Sequence, residues 1–171
     1  MKRTKQALRW ITGILKSRRV PFQITGGLAA RIYGATRPLA DIDIDIPTLG
    51  LRRIVAMISG RLIYGPRRYK DRNWDLTLAT LLYGGQLIDL CAIETEKIFN
   101  RTSGKWEKLK IKLGEAVRRS VLGVSVPVIP LERLISYKSK LGRRVDVKDA
   151  RAISDRPTVR CRGRRPRSVR P

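Results

Sequence analysis

The chain alternates between two hydrophobic rhythms. Leu8, Ile11, Ile14 and Leu15 recur at three- and four-residue intervals, with lysines and arginines between them, and predict an amphipathic helix over 3–18. Pro21 closes a turn over 17–21, because proline disfavours helix in the residue before it. A short apolar strand follows at 22–25, then Gly26 and Gly27, then a short helix over 28–33 that Gly34 ends. Over 41–46 the rhythm becomes strict alternation, Asp-Ile-Asp-Ile-Asp-Ile. Successive side chains of a strand face opposite ways, so Ile42, Ile44 and Ile46 share one face and Asp41, Asp43 and Asp45 the other. Pro47 and a turn over 48–50 stop this strand. Helical spacing returns over 51–59, with Ile54, Met57 and Ile58 inward.

The second half reads as strands, then helices. A short strand at 62–64 leads into a basic loop over 65–73. Strands at 74–83 and 86–93 flank Gly84-Gly85, a hairpin turn signal. The second of these is almost wholly apolar, which predicts a central place in the sheet, and Asp89 inside it needs a partner. The pattern then predicts a helical turn at 94–99, a strand at 109–113, a short helix at 115–121 and a strand at 124–129. Pro130 opens a helix whose inner stripe is Leu131, Leu134, Ile135, Lys138 and Leu141, and Gly142 ends it. A last helix spans 146–154, with Asp146 as its cap. The mixture, with a hairpin at its centre, predicts an α/β (α+β) domain over 1–155: a small mixed β-sheet flanked by helices. Residues 156–171 are rich in arginine and proline and predict a disordered tail.

Composition narrows the chemistry. The 171 residues hold no apolar run of membrane-spanning length, and the N-terminal segment is broken by Arg9 and lacks a small-residue cleavage site, so the expectation is a cytoplasmic protein without a membrane partner. There is no histidine, which removes Ser-His and Cys-His catalysis and any histidine base. Two cysteines make neither a disulfide framework nor, without histidine, a zinc site. Acid–base or metal chemistry therefore falls to carboxylates, lysines and tyrosines. The formal net charge is +24, from 38 basic against 14 acidic residues. Such an excess attracts polyanions, although an arginine-biased composition gives the same number without a nucleic-acid partner.

The aspartate face of 41–46 is the feature that needs explaining. Aspartate is disfavoured in strands, and neighbouring like charges repel. A solvated edge strand would tolerate the row; so would a bound cation, for which oxygen-ligated Mg²⁺ is the simplest choice. Two further features favour the cation. Gly26-Gly27 lies between a strand and a helix, where backbone N–H groups can approach a phosphate. Asp89 supplies a third carboxylate from a later strand. Carboxylates on adjacent strands beside a phosphate cradle are what two-metal phosphoryl transfer requires.

In these residues the chain resembles the nucleotidyltransferase superfamily typified by DNA polymerase β, whose signature is Gly-Gly or Gly-Ser, a spacer, Asp-x-Asp and a later acidic strand residue. Ile24-Thr-Gly-Gly-Leu-Ala-Ala with Thr36-Arg37-Pro-Leu-Ala-Asp41-Ile-Asp43-Ile is most similar to the lincosamide nucleotidyltransferases and AbiEii-like toxins. The stretch from Leu134 through Lys138, Arg143 and Asp146 to Asp149 resembles the AbiEii-like helical motif, so the likeness spans 22–153. It implies that Asp41, Asp43 and Asp89 are catalytic and hold Mg²⁺, two ions, with Asp89 able to take the acceptor's proton. It implies nucleotide contacts from Gly26, Gly27, Thr36, Arg37 and Lys138, and accessory roles for Asp45, Arg143, Asp146 and Asp149. The dyad could also be Asp43/Asp45; the Thr-Arg offset favours Asp41/Asp43, with Asp45 solvated or merely supportive. Leu39 stands where relatives often have threonine, and the tail has no counterpart. The implied activity is transfer of a nucleoside monophosphate from an NTP, ATP among them, to a hydroxyl of RNA or tRNA, a protein or a small molecule, in a toxin–antitoxin or resistance setting. The alternative is a catalytically silent domain of this fold that binds RNA or a protein partner.

Overall fold

The computed structural model describes residues 1–154; the tail expected at 156–171 lies outside the described residues. The first helix, α1 (Lys2–Ser17), buries Leu8, Ile11 and Leu15 completely, as its spacing requires. Strand β1 (Gln23–Ile24) runs into α2 (Gly26–Tyr33), so the glycine pair forms the first turn of a helix rather than a linker before it. The alternating segment is β2 (Asp41–Ile46), followed by α3 (Thr48–Ile58). Then come β3 (Leu62–Lys70), β4 (Trp74–Tyr83), β5 (Gln86–Ala92), β6 (Lys97–Asn100), β7 (Lys105–Lys108), β8 (Val117–Val121) and β9 (Val124–Val128). Two helices, α4 (Leu131–Leu141) and α5 (Arg144–Ser154), complete the described chain.

The strands form one mixed sheet in the order β7-β6-β4-β5-β2-β1-β9-β8, with β3 paired to β4 outside that path. Strands β2 and β5 pair in parallel, as do β1 and β9, while the other pairs are antiparallel. The largely apolar β5 is internal, as its composition predicts. Ile42, Ile44 and Ile46 of β2 and Ile88, Leu90 and Ala92 of β5 are fully buried. Burying both rows on one face forces the aspartates of both strands onto the other.

Four segments differ from the sequence expectation. The basic loop at 65–73 is mostly strand: β3 continues to Lys70 because β4 pairs with each residue from Arg67 to Lys70. Gly65 and Pro66 are accommodated where its register shifts. The helical turn expected at 94–99 ends in β6, which forms a hairpin with β7. The strand expected at 109–113 is displaced upstream to β7, and the helix expected at 115–121 is β8, paired with β9. In each case a neighbouring strand decides the state of a segment too short for its own periodicity to do so. Asp146, expected as a cap, lies within the first turn of α5, two residues past its start at Arg144, with its carboxylate buried.

Candidate active site

Register builds the site. In the parallel pair β2–β5, Asp43 stands directly opposite Asp89, and Asp41 opposite Leu87. Carboxylate oxygens of Asp41, Asp43 and Asp89 all lie within 4.8 Å of one another. Burial pushes Asp43 up to about 7, reinforced by the charges of Asp41 and Asp89 and opposed by a hydrogen bond from the Gly27 N–H at 3.2 Å. Burial also raises Asp89, with Thr80 partly offsetting it. The buried Asp89 Oδ1 has no hydrogen-bond partner. Half-buried carboxylates this close oppose one another's ionisation unless a cation offsets them. An all-oxygen set with an unsatisfied atom fits a hard divalent ion such as Mg²⁺.

Asp45 is neither solvated nor part of the triad. It is 2% exposed and accepts a hydrogen bond from Gln23 Nε2 at 2.7 Å. Burial raises its pKa to about 7, with that bond opposing the shift. Asp45 pairs across the sheet with Gln23 of β1 and Cys91 of β5, so it sits deep in the sheet rather than in solvent at the strand's end.

The glycine pair faces the triad. Gly26 has φ +59°, and a Cβ there would collide with the Asp43 carboxylate, so glycine is required twice over. In this state its N–H donates to the Tyr137 hydroxyl at 3.0 Å. Arg37 lies over the pair, its Nη2 against the position a Gly27 Cβ would take, and its Nε donates to Asp149 at 2.9 Å. Thr36 is exposed on the connection before β2 and lies outside the cleft lining.

Behind the glycines, α4 and α5 carry a buried ion network. Lys138 is 1% exposed and donates to Asp146 and Asp149, both at 2.9 Å. Arg143 donates to Asp146 at 2.6 Å. Burial alone would raise Asp146, but the Arg143 bond and the Lys138 charge outweigh it and hold the carboxyl below its ordinary range. Lys138 is thus committed to two carboxylates. A cleft of about 460 Å³ opens over the triad, and Gly26, Gly27, Arg37, Lys138 and Arg143 all contribute to its lining.

Tyr137, Glu96 and Asp71 are among the lining residues that the sequence pattern did not single out. Tyr137 completes the α4 stripe at three residues from Leu134, a spacing that was available. Glu96 is 4% exposed with an unpartnered Oε2, and the burial that leaves it raised well above normal is reinforced by Asp45 and Asp43. Nothing local marked it, since its segment read as a helical turn. Asp71 closes the β3–β4 turn by accepting from the N–H groups of Asn73 and Trp74, both at 2.7 Å.

No protein-family model matches the sequence, and no curated protein matches it significantly. Solved structures do match. The candidate nucleotidyltransferase TM1012 from Thermotoga maritima superposes with a TM-score of 0.65 at 24% identity, over 85% of this chain and 89% of that one. The lincosamide antibiotic adenylyltransferase LnuA, lincomycin-bound, gives 0.58 at 13%, over 88% and 96%. ANT(2″)-Ia in complex with adenylyl-2″-tobramycin gives 0.56 at 17%, over 88% and 87%. Likeness at these identities establishes the fold: the chain has the nucleotidyltransferase fold, as the glycine pair and aspartate strand led one to expect. Function has to be argued from the site.

Proposed function

We propose that the protein is a Mg²⁺-dependent nucleotidyltransferase that moves a nucleoside monophosphate from an NTP to an acceptor hydroxyl. The observation that carries this reading is the three-carboxylate cluster of Asp41, Asp43 and Asp89, set beside the start of α2. Two structural neighbours, the adenylyltransferase LnuA and ANT(2″)-Ia bound to adenylyl-2″-tobramycin, make ATP the first donor to test. No helix of the described residues is long and apolar enough to cross a membrane. The reading places the reaction in the cytoplasm, where NTPs are abundant.

Two Mg²⁺ ions held by the triad would neutralise charge on the triphosphate and lower the pKa of the acceptor hydroxyl. The chain's own residues do the rest. The N–H groups of Gly26 and Gly27 would turn from Tyr137 and Asp43 to phosphate oxygens, at the positive end of α2. Arg37, fixed by Asp149, would lie against the same phosphates. Lys138, Asp146 and Arg143 would position that wall by holding α4 to α5. The acceptor oxygen bonds to the α-phosphorus as the bond from that phosphorus to the pyrophosphate oxygen breaks. The acceptor's proton passes to Asp89. Because all three carboxylates are present and clustered, the reading as a silent binding domain has no observation in its favour.

Calorimetric titration with each of the four NTPs, with and without Mg²⁺, tests the proposal. At least one NTP should bind only with the metal, and Asp43→Asn should abolish that binding. Absence of metal-dependent binding for every NTP would sink it.

A further inference from the structure

The acidic residues of this chain are unevenly placed. Of its 14, Asp41, Asp43, Asp45, Asp71, Asp89 and Glu96 line the catalytic cleft, and Asp146 and Asp149 are sequestered by Lys138. The remaining surface is therefore more basic than the net charge of +24 suggests. A second cleft, of about 500 Å³, adjoins the first: Leu109, Ile111, Ile129 and Tyr137 line both. Its other side chains include Lys108, Lys110, Lys112, Arg133 and Lys140 against only Glu107 and Glu115. Those two glutamates are already taken, by Lys140 at 2.9 Å and by Lys112 and Arg133 at 3.1 and 2.8 Å. Among the described residues, Lys108 and Lys110 have no carboxylate partner within 4.0 Å, and both are exposed.

Next to this cleft stands an aromatic platform. Trp106 is 38% exposed and packs edge-on against Phe99, with Lys70 Nζ 5.5 Å from its ring centroid. Lys70 follows Tyr69, which lines the catalytic cleft. Exposed rings flanked by lysines suit stacked bases, and a lysine-walled groove suits a phosphate backbone. A polycationic acceptor would meet repulsion here, and a small neutral one would leave the lysine wall unused.

On the reading of the triad as a nucleotidyl-transfer site, we infer that the acceptor is a single-stranded nucleic acid. Its backbone lies along Lys108 and Lys110, a base stacks on Trp106, and its terminal hydroxyl reaches the triad past Leu109 and Ile111. The strand could be RNA or DNA, and the two share the recognised chemistry.

The test measures fluorescence anisotropy of labelled 12-residue oligo-U and oligo-dT on the full chain across a salt series. Wild type is compared with Lys108→Glu/Lys110→Glu and with a control of equal charge change, Arg52→Glu/Arg53→Glu, on the exposed side of α3. The cleft variant should lose at least tenfold in affinity and about one to two in the magnitude of its salt slope, since each phosphate contact contributes about 0.7. Trp106→Ala should weaken binding with an unchanged slope. The control should lose much less. Binding of both oligomers means that the backbone is read; binding of oligo-U alone means that the 2′-hydroxyl is read; either supports the inference. Equal losses in cleft and control variants overturn it, as does wild type that binds neither oligomer, or that binds phosphatidylserine vesicles instead. Wild-type Mg²⁺–NTP binding in the same buffer separates the two failures. If it is present while the oligomer result is negative, only the acceptor inference falls; if it is absent, the reading of the triad falls.

Discussion

Replacing Asp43 by asparagine should stabilise the metal-free protein while destroying its response to metal. In the folded chain the Asp43 pKa stands at about 7 against an ordinary 3.8, through burial first and then the charges of Asp41 and Asp89. Three pKa units at about 1.4 kcal/mol each set an upper bound of about 4 kcal/mol on the cost of ionised Asp43. Solvent at the open cleft screens part of this, and about 2 kcal/mol is a fair working figure. The sign follows from proton uptake. Between pH 3.8 and 7 the folded wild type binds more protons at this group than the unfolded chain. Its stabilising contribution is therefore complete below the unfolded pKa and is lost as pH rises through the folded one. Asparagine cannot ionise, yet its amide oxygen still accepts from the Gly27 N–H. The variant's advantage should thus be small near pH 3.5, grow through pH 4–7 and level off above. In a domain of this size 2 kcal/mol is a rise of about 4–8 °C in Tm. Thermal melts at pH 8 in EDTA should show it. Millimolar Mg²⁺ should then raise the Tm of wild type and leave the variant unmoved. A variant that melts below wild type in EDTA, or that gains as much from Mg²⁺, would refute the view that these carboxylates are held in mutual opposition for a cation.

Gly26→Ala should cost about 1–2 kcal/mol from the left-handed backbone alone, and should also lose NTP binding, because the new Cβ displaces the Asp43 carboxylate; melts and calorimetry on the same sample read both effects. Lys138→Met leaves Asp146 and Asp149 buried without their shared cation and should cost about 3–5 kcal/mol in urea unfolding, and adding Asp146→Asn and Asp149→Asn should recover part of it. Asp146 has the opposite pH sign to Asp43: its folded pKa is lowered, so its contribution is present above the unfolded value and lost as pH falls through the folded one, and Asp146→Asn should flatten the acid limb of the stability curve. Arg37→Ala frees Asp149 on one side and should weaken Mg²⁺–NTP binding about tenfold in calorimetry with little change in Tm, since Lys138 still holds the buried Asp149 carboxylate.

Local spacing alone is enough for the elements whose periodicity is long or strict. Helix α1, the alternating strand β2, the β4–β5 hairpin and α4 with its Gly142 stop are all set by local spacing and turn chemistry. The absence of histidine left carboxylates, lysines and tyrosines as the chemistry on offer, and Gly26-Gly27 with Asp41 and Asp43 marked the candidate site. Tertiary structure decided what depends on which strand lies beside which. Residues 65–70, 97–100 and 117–121 became strands because partners supplied their hydrogen bonds. Asp89 joined the triad because parallel pairing in one register sets it opposite Asp43; a one-residue slip would turn it into the core. The same pairing buried Asp45, separating it from the two aspartates that precede it in an otherwise uniform row. Nor could spacing reveal that Lys138 would spend its charge on Asp146 and Asp149, or that Leu109 and Ile111 would wall two clefts at once. A strand's sequence states which side chains share a face; only its neighbours state what that face meets.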